Sequence, residues 1–400
     1  MKIETKHIEE IQRLFAQMRT KEDLAGLLSI ADNLLYEEER KPVRVKSLNY
    51  YGNPEFCKHR YKVFAIKKKN GSLRTIHAPV KGLKNILRSL NFVLQCMYEP
   101  HRAATGFVPE KSIVDNAKVH VGQHYVFNLD LKDFFHSFDR NRVKLAFMYK
   151  PFHLRNDGVI NREPLAFFLA SLCTHPFNID GKIKYVLPQG SPTSPTLTNI
   201  LCKNLDRRLN GLANRFSANY TRYADDITFS SPHNIYGKEA FQNELKRIIE
   251  EDQQLQINPK KTRLQKYGYR QEATGLIVNE KVNVKKRYVK EIRMWLYYWE
   301  KYGYHKAQQI FARDYIKDKG HVKHVNAQMS NVLAGKLEYL KMVKGEENSS
   351  YVALKERLEM LSEAERVETL PKVDLETVIN AVIEKGLDEG LNLYNRYRSN

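Results

Sequence analysis

Paired cysteines, long apolar runs and a balance of acid against base are what this sequence lacks. Its four cysteines, Cys57, Cys96, Cys173 and Cys202, are far apart, with no Cys-x-x-Cys pair. That spacing argues against a disulfide framework and a zinc ribbon. No apolar run approaches the ~18 residues of a membrane span, and mean hydropathy is −0.56. The opening Met1-Lys-Ile-Glu-Thr-Lys6 has no apolar stretch of the kind a secretion signal carries. A reduced, cytoplasmic protein without membrane partners is therefore expected. No internal repeat or low-complexity tract points to a solenoid or a disordered chain.

Acids are scarce relative to bases. The 400 residues hold 66 Lys+Arg and 46 Asp+Glu, a formal net charge of +20. The shortage is uneven. Gly345–Asn400 carries 7 Lys+Arg against 12 Asp+Glu, so residues 1–344 carry a net of +25. A charge of that size says more about partners than about fold, and a polyanion is the natural partner. Lys58, Arg60, Lys62, Lys67, Lys68, Lys69 and Arg74 cluster without an intervening acid, with Tyr61 and Phe64 interleaved as stacking surfaces often are. A second cluster comprises Lys281, Lys285, Lys286, Arg287 and Lys290. The apolar fraction, 42%, suffices for a packed core, and the length suits two or three domains.

The hydrophobic pattern alternates in type. It predicts a helix over 5–35, a hairpin over 61–77 turning at Asn70-Gly71, and a helix from Pro79 to Pro100. A strand follows at 124–131, then helices near 141–149 and 162–173, and another from Pro195 through Leu212. A hairpin over 218–231 carries Ala224-Asp225-Asp226 near its tip; a helix over 237–252 and strands at 255–265 and 273–284 complete the middle. From Arg287 onward the pattern is helical. This order suggests an α+β fold around a ferredoxin-like antiparallel sheet with helices on one face.

Three acids stand out. Asp130 ends an apolar strand, and Asp225 and Asp226 are adjacent. Carboxylates against a sheet core need compensating charge, and two Mg²⁺ ions would supply it through hard oxygen ligands. Such a pair activates an attacking hydroxyl and stabilises a leaving pyrophosphate. Spacing alone favours the plainer alternative, a turn pair of aspartates. Pro188-Gln-Gly-Ser-Pro192 forms a rigid turn opening a helix, either an ordinary helix start or a backbone surface for a nucleotide or template. Lys261 follows a strand, placed as a surface lysine or as a general acid for departing pyrophosphate.

Taken in order, the blocks resemble a reverse transcriptase. They are Arg74-Thr-Ile-His-Ala-Pro79, Gly106-Phe-Val-Pro-Glu-Lys-Ser-Ile113, Leu129-Asp130-Leu-Lys-Asp-Phe-Phe135, Pro188-Gln-Gly-Ser-Pro192, Tyr223-Ala-Asp-Asp226, Asn258-x-x-Lys261-Thr262 and Thr274-Gly275-Leu276. Two further blocks are similar to the retron branch: Asn116-Ala117-Lys-Val-His120, and Ala273-Thr274-Gly275 where that branch has Val-Thr-Gly.

The resemblance implies a right-hand polymerase: an N-terminal helical region (1–49), fingers and ferredoxin-like palm (50–285), a helical thumb (286–345) and an acidic C-terminal helical extension (346–400). It implies that Asp130, Asp225 and Asp226 hold two Mg²⁺ ions, with Lys261 catalytic beside them. Lys67, Lys68 and Arg74 would grip the triphosphate, Gln189 would lie by the nucleotide, and Phe135 would exclude a ribonucleotide 2′-OH. Asn116, His120, Thr274, Gly275, Lys285, Lys286 and Arg287 would serve RNA binding, although for His120 the residue alone favours a hydrogen-bonded core histidine. The implied activity is copying a dedicated non-coding RNA into RNA-linked single-stranded DNA (msDNA) from dNTPs, alongside an effector protein of anti-phage defence. A defence-associated or intron-derived reverse transcriptase with different priming is the neighbouring alternative. A non-catalytic RNA-binding scaffold is the third.

Overall fold

In a computed structural model, the residues described are 3–67, 71–319, 327–369 and 375–399. The chain divides into two compact units, Met1–Asn283 and Val284–Asn400.

The first unit is built around a sheet whose core strand is Tyr125–Lys132. Before it stand the hairpin β1 (Tyr61–Lys67) and β2 (Leu73–Pro79), so the core strand is β3. The hairpin β4 (His175–Ile179) and β5 (Lys182–Val186) follows, then β6 (Asn219–Tyr223), β7 (Asp226–Ser231), β8 (Gln256–Ile257) and β9 (Arg263–Lys266). The sheet order is β6-β7-β3-β8, with β9 also pairing β3, and every ladder is antiparallel. The four longer strands thus lie in the order second-third-first-fourth, the split β-α-β arrangement expected.

Alternation assigns the two faces. Phe127, Leu129 and Leu131 of β3, and Ile227 and Phe229 of β7, are buried on the helix side. There the Phe241 ring lies 5.5 Å from that of Phe229 and 6.4 Å from that of Phe127. Burying a side chain of this size is worth ~1.5–3 kcal/mol. The opposite face is polar: Asn128 donates to Thr228 at 3.0 Å, and Asp130 sits directly across from Asp226.

Several elements differ from expectation for identifiable reasons. The helix expected over 5–35 is two, α1 (Thr5–Gln17) and α2 (Lys21–Tyr36). The break is a capping box in which the Thr20 side chain accepts from the Asp23 N–H while the Asp23 carboxylate accepts from the Thr20 N–H. A short helix α3 (Val45–Gly52) went unpredicted. The helix after the β1–β2 hairpin, α4, runs Lys81–Met97. The hairpin β4–β5 also went unpredicted, although Asp180-Gly181, with φ of 53° and 76°, is the standard signal for a two-residue turn. The strand expected over 255–265 is interrupted at Pro259, which lacks the N–H a ladder needs. The strand expected over 273–284 shrinks to the hairpin β10 (Glu272–Ala273) and β11 (Leu276–Ile277), because Thr274 and Gly275 both have positive φ, 48° and 86°.

The basic cluster around the fingers is also less uniform than its sequence suggests. Arg60 is fully buried, donating to the carbonyls of Tyr51, Ser171 and Thr174, and Tyr61 is buried too. Neither contributes to an outer face. Residues 1–49 share the first unit's hydrophobic cluster with the sheet rather than forming a separate body.

The regular elements of the second unit's described residues are all helices. With α5–α10 assigned below or lying between the strands (Ile113–Lys118, Arg140–Met148, Glu163–Cys173, Ser194–Leu201, Lys203–Arg215 and Glu239–Lys246), the unit starts at α11 (Lys286–Tyr302). α12 (Tyr304–Lys319), α13 (Met329–Lys344), α14 (Ser349–Thr369), α15 (Leu375–Lys385) and α16 (Leu387–Ser399) follow. The boundary expected after Gly345 falls on a turn inside this unit. Tyr351, Leu354 and Leu358 of α14 are buried, and Arg357 forms a two-bond pair with Glu300 of α11 at 2.8 and 2.9 Å. Among the described residues, no helix is long and apolar enough to cross a membrane.

Candidate active site

The sheet register brings the three sequence-distant acids together. β3 ends with Asp130 opposite Asp226, the first residue of β7. Asp225 lies in the turn between β6 and β7, and its carbonyl accepts from the Leu131 N–H at 3.0 Å. All three line one cleft of 420 Å³, with Arg74, Phe107, Phe135, Gln189, Asn258 and Lys261 also on its walls.

Like charges directly across a ladder repel, which adds to burial in raising carboxyl pKa values here. Burial first, then the Asp130 charge, raises the Asp225 carboxyl above the ordinary range. Asp226 reaches solvent at the cleft mouth, yet burial by the walls and the charges of Asp225 and Asp130 push it up to about 6. Asp130 is compensated: Lys261 Nζ lies 2.7 Å from Oδ2 and Asn258 Nδ2 donates to Oδ1 at 3.1 Å. Burial works against the Lys261 charge, but the hydrogen bond and charge of Asp130 prevail and raise its pKa. Among the described residues neither Asp225 nor Asp226 forms an ion pair.

The oxygen-only donor set and uncompensated negative charge fit a hard divalent cation. The set is not closed. Among the described residues no three His, Cys, Asp or Glu side chains form a ready-made metal-binding group, and the Asp130 carboxylate is bonded to Lys261 and Asn258.

A buried network fixes the turn that carries Asp225. Ala224 adopts a left-handed conformation, φ 57°. Its carbonyl accepts from Arg222 Nη1 at 3.2 Å. The same guanidinium binds Asp206 of α9 through Nε at 2.7 Å and Nη2 at 2.6 Å, and reaches Asn199 Oδ1 at 3.1 Å. Arg222 and Asp206 are both fully buried. Tyr220 Oη donates to Asp206 at 2.8 Å, and Asn199 Nδ2 donates to the Gly106 carbonyl at 2.9 Å. A Cβ on Gly106 would lie 2.6 Å from the Ala224 nitrogen, so only glycine allows this approach. Gly190 is similarly constrained: with φ 119° it leaves no room for a Cβ beside the His77 carbonyl, and the His77 N–H donates to Gln189 O at 2.8 Å. This ties the fingers hairpin to the Pro188–Pro192 turn.

The remaining candidates divide. Arg74, Phe135 and Gln189 line the cleft. Lys67 ends β1 exposed and is not among the cleft walls; Lys68 lies outside the described residues. Asn116 and His120 are both fully buried, so neither presents a side chain to RNA, and His120 is the hydrogen-bonded core histidine that the residue alone favoured. His120 bridges Ser230 and Thr221 at 2.7 Å each across the polar face of the sheet, and burial drives its pKa down to about 3. Asn116 donates to Thr105 Oγ1 at 2.8 Å. Their block is therefore a cover on the palm sheet. Thr274 and Gly275 form the β10–β11 turn, with Thr274 Oγ1 donating to Ile113 O at 3.3 Å. Lys285, Lys286 and Arg287 are exposed at the start of α11, in the second unit.

Sequence reading missed Asn258 as a partner of Asp130, and Arg222 with Asp206. It also missed Phe107, a non-glycine residue at φ 60° whose ring stands 6.2 Å from Tyr223 and 6.4 Å from Phe135. Asn258 and Phe107 lay inside quoted blocks; nothing in the sequence marked Asp206.

Comparison with known proteins agrees with this geometry. The family model described as reverse transcriptase (RNA-dependent DNA polymerase) matches residues 66–290. The chain is 35% identical over 278 residues to the retron Mx65 reverse transcriptase of Myxococcus xanthus, covering 65% of this chain and 58% of that protein. It is 40% identical over 240 residues to the retron Mx162 reverse transcriptase of the same organism, covering 55% and 47%. The chain thus spans about half the length of these two relatives. To the retron Ec86 reverse transcriptase of Escherichia coli it is 32% identical over 240 residues, covering 58% and 68%. The chain belongs to the reverse transcriptase family, with the right-hand polymerase fold of that family. Within the family it is of the retron type.

The raised Asp226 pKa carries a signed consequence. The folded state holds a proton up to about pH 6 that an unfolded carboxyl, with a pKa near ~3.9, has already released. Metal-free protein is expected to lose stability as pH rises from ~4 to ~6 and to stay at the lower level above. Asp226→Asn should flatten that fall and raise the thermal midpoint at pH 7. Thermal melts across the range in chelator check this; an unchanged pH profile in the variant contradicts it.

Proposed function

We propose that the chain is an RNA-directed DNA polymerase that copies a structured non-coding RNA into RNA-linked single-stranded DNA. The observation that carries this reading is the cross-strand opposition of Asp130 and Asp226, with Asp225 beside them in a cleft also walled by Arg74, Gln189 and Lys261. Asp130, Asp225 and Asp226 would hold two Mg²⁺ ions, which would activate the primer hydroxyl and stabilise the leaving pyrophosphate oxygen. Arg74, exposed on β2, offers a planar guanidinium for bidentate contact with a triphosphate. Lys261 neutralises Asp130 and would hold a proton on Nζ where pyrophosphate departs. Phe135 occupies the wall where a sugar would sit and would exclude a 2′-OH by contact. The exposed Lys285, Lys286 and Arg287 would contribute backbone contacts to nucleic acid. A cytoplasmic location, an msDNA product and an effector partner in anti-phage defence follow from the retron likeness and stand as part of the proposal.

Primer extension on poly(rA)·oligo(dT) with Mg²⁺ tests the assignment. Replacing both Asp225 and Asp226 by Asn should lower the rate on the order of 10³-fold or more, through several kcal/mol of lost transition-state stabilisation. Equal rates in wild type and variant would refute it. In the same assay Phe135→Ala should narrow the preference for dNTP over rNTP; an unchanged preference removes that role.

A further inference from the structure

Beyond the cleft, β9 leads to a feature that no part of the proposed chemistry uses. Tyr267 and Tyr269 are 64% and 75% exposed on one turn. The turn is rigidly made. The Tyr269 N–H donates to Lys266 O at 3.2 Å, and Gly268, at φ 88°, takes the left-handed position of the turn. The Tyr267 N–H donates to His124 O at 2.6 Å, and Asn279 Nδ2 donates to Tyr269 O at 2.8 Å. The His124 ring lies 5.3 Å from that of Tyr267. Two aromatic side chains are thus presented to solvent on a backbone fixed from both sides.

The surroundings are cationic. Lys266 and Arg270 flank the pair, and Lys260 and Arg263 precede it along the same edge of the sheet, all exposed. Glu272 offsets part of this charge, at 2.7 Å from Arg270 and 4.0 Å from Arg263. Exposed rings among cations suit stacked bases whose phosphates lie alongside. A duplex offers phosphates and 2′-hydroxyls but no free base faces, so the rings select unpaired nucleotides. Six residues separate Tyr267 from Lys261, at most roughly 20 Å of extended chain.

We infer that the Lys266–Arg270 turn is a stacking platform that holds an unpaired stretch of RNA beside the catalytic cleft. This deepens the reading of the chain as an enzyme acting on RNA and rests on it. The platform gives that enzyme a means of gripping a loop or junction of a structured RNA without reading its sequence.

Fluorescence anisotropy with labelled oligo(rU), oligo(dU) and a blunt RNA duplex tests the inference on the full chain. Tyr267→Ala with Tyr269→Ala should weaken oligo(rU) binding on the order of tenfold or more, with duplex affinity and the salt dependence of binding unchanged. Tyr267→Phe with Tyr269→Phe should bind oligo(rU) as wild type does. Lys266→Ala with Arg270→Ala should instead reduce the salt dependence. Undiminished oligo(rU) binding in the alanine variant, an equal loss on the duplex, or a loss confined to oligo(dU) would overturn the platform. Primer extension by the wild type on poly(rA)·oligo(dT) keeps this test separate from that of the polymerase reading. Failure of the wild type to extend would instead count against the polymerase reading itself, whatever the binding results.

Discussion

The buried pair of Arg222 and Asp206 is the constraint on which the geometry of the cleft depends. One guanidinium spends its donors on Asp206, on Asn199 and on the carbonyl of Ala224, the residue that turns the chain into Asp225. Lysine, a point charge with no fork, cannot make this set of contacts. Breaking one partner of a buried pair typically costs ~3–5 kcal/mol, because the other charge is stranded. Asn199 passes the constraint on to the Gly106 carbonyl, and Gly106 in turn packs against the Ala224 nitrogen. The left-handed Ala224 is thereby held from the strand, from the helix and from the loop before α5.

That rigidity matters because the cleft is electrostatically unfavourable by itself. A sheet that sets Asp130 against Asp226, with Asp225 alongside, gathers more negative charge than Lys261 offsets. Relaxation would move the carboxylates apart. The polar face beneath them resists it: His120 spans two strands through Ser230 and Thr221, neutral because it is buried, and Asn128 bonds Thr228. The scaffold keeps charges close that would separate if free, and the proposed cation site draws on that.

Much of this was legible in the sequence because hydrophobic periodicity is local. The alternation in β3, the face of α4 and the helical run after Arg287 all emerged from spacing alone, and ordered blocks pointed to the cleft. What escaped depended on pairings between distant residues. Nothing near Asp206 announces that it will meet Arg222, and Asn258 acquires meaning only when β8 lies against β3. His120 shows two readings pulling apart, the residue alone favouring a hydrogen-bonded core histidine. As part of a block it suggested contact with RNA, whereas the fold buries it completely. Short elements were misjudged where backbone chemistry overrode pattern, as at Pro259, at Thr274-Gly275 and in the capping box at Thr20.

The most direct test of the account is whether divalent cations bind where the three carboxylates meet. Mn²⁺ binding can be followed by electron paramagnetic resonance in a complex with chain-terminated primer, template and matching dNTP. The account predicts two protein-associated ions in the wild type and loss of at least one on Asp225→Asn. Mn²⁺ occupancy indifferent to Asp130, Asp225 and Asp226 alike would contradict it.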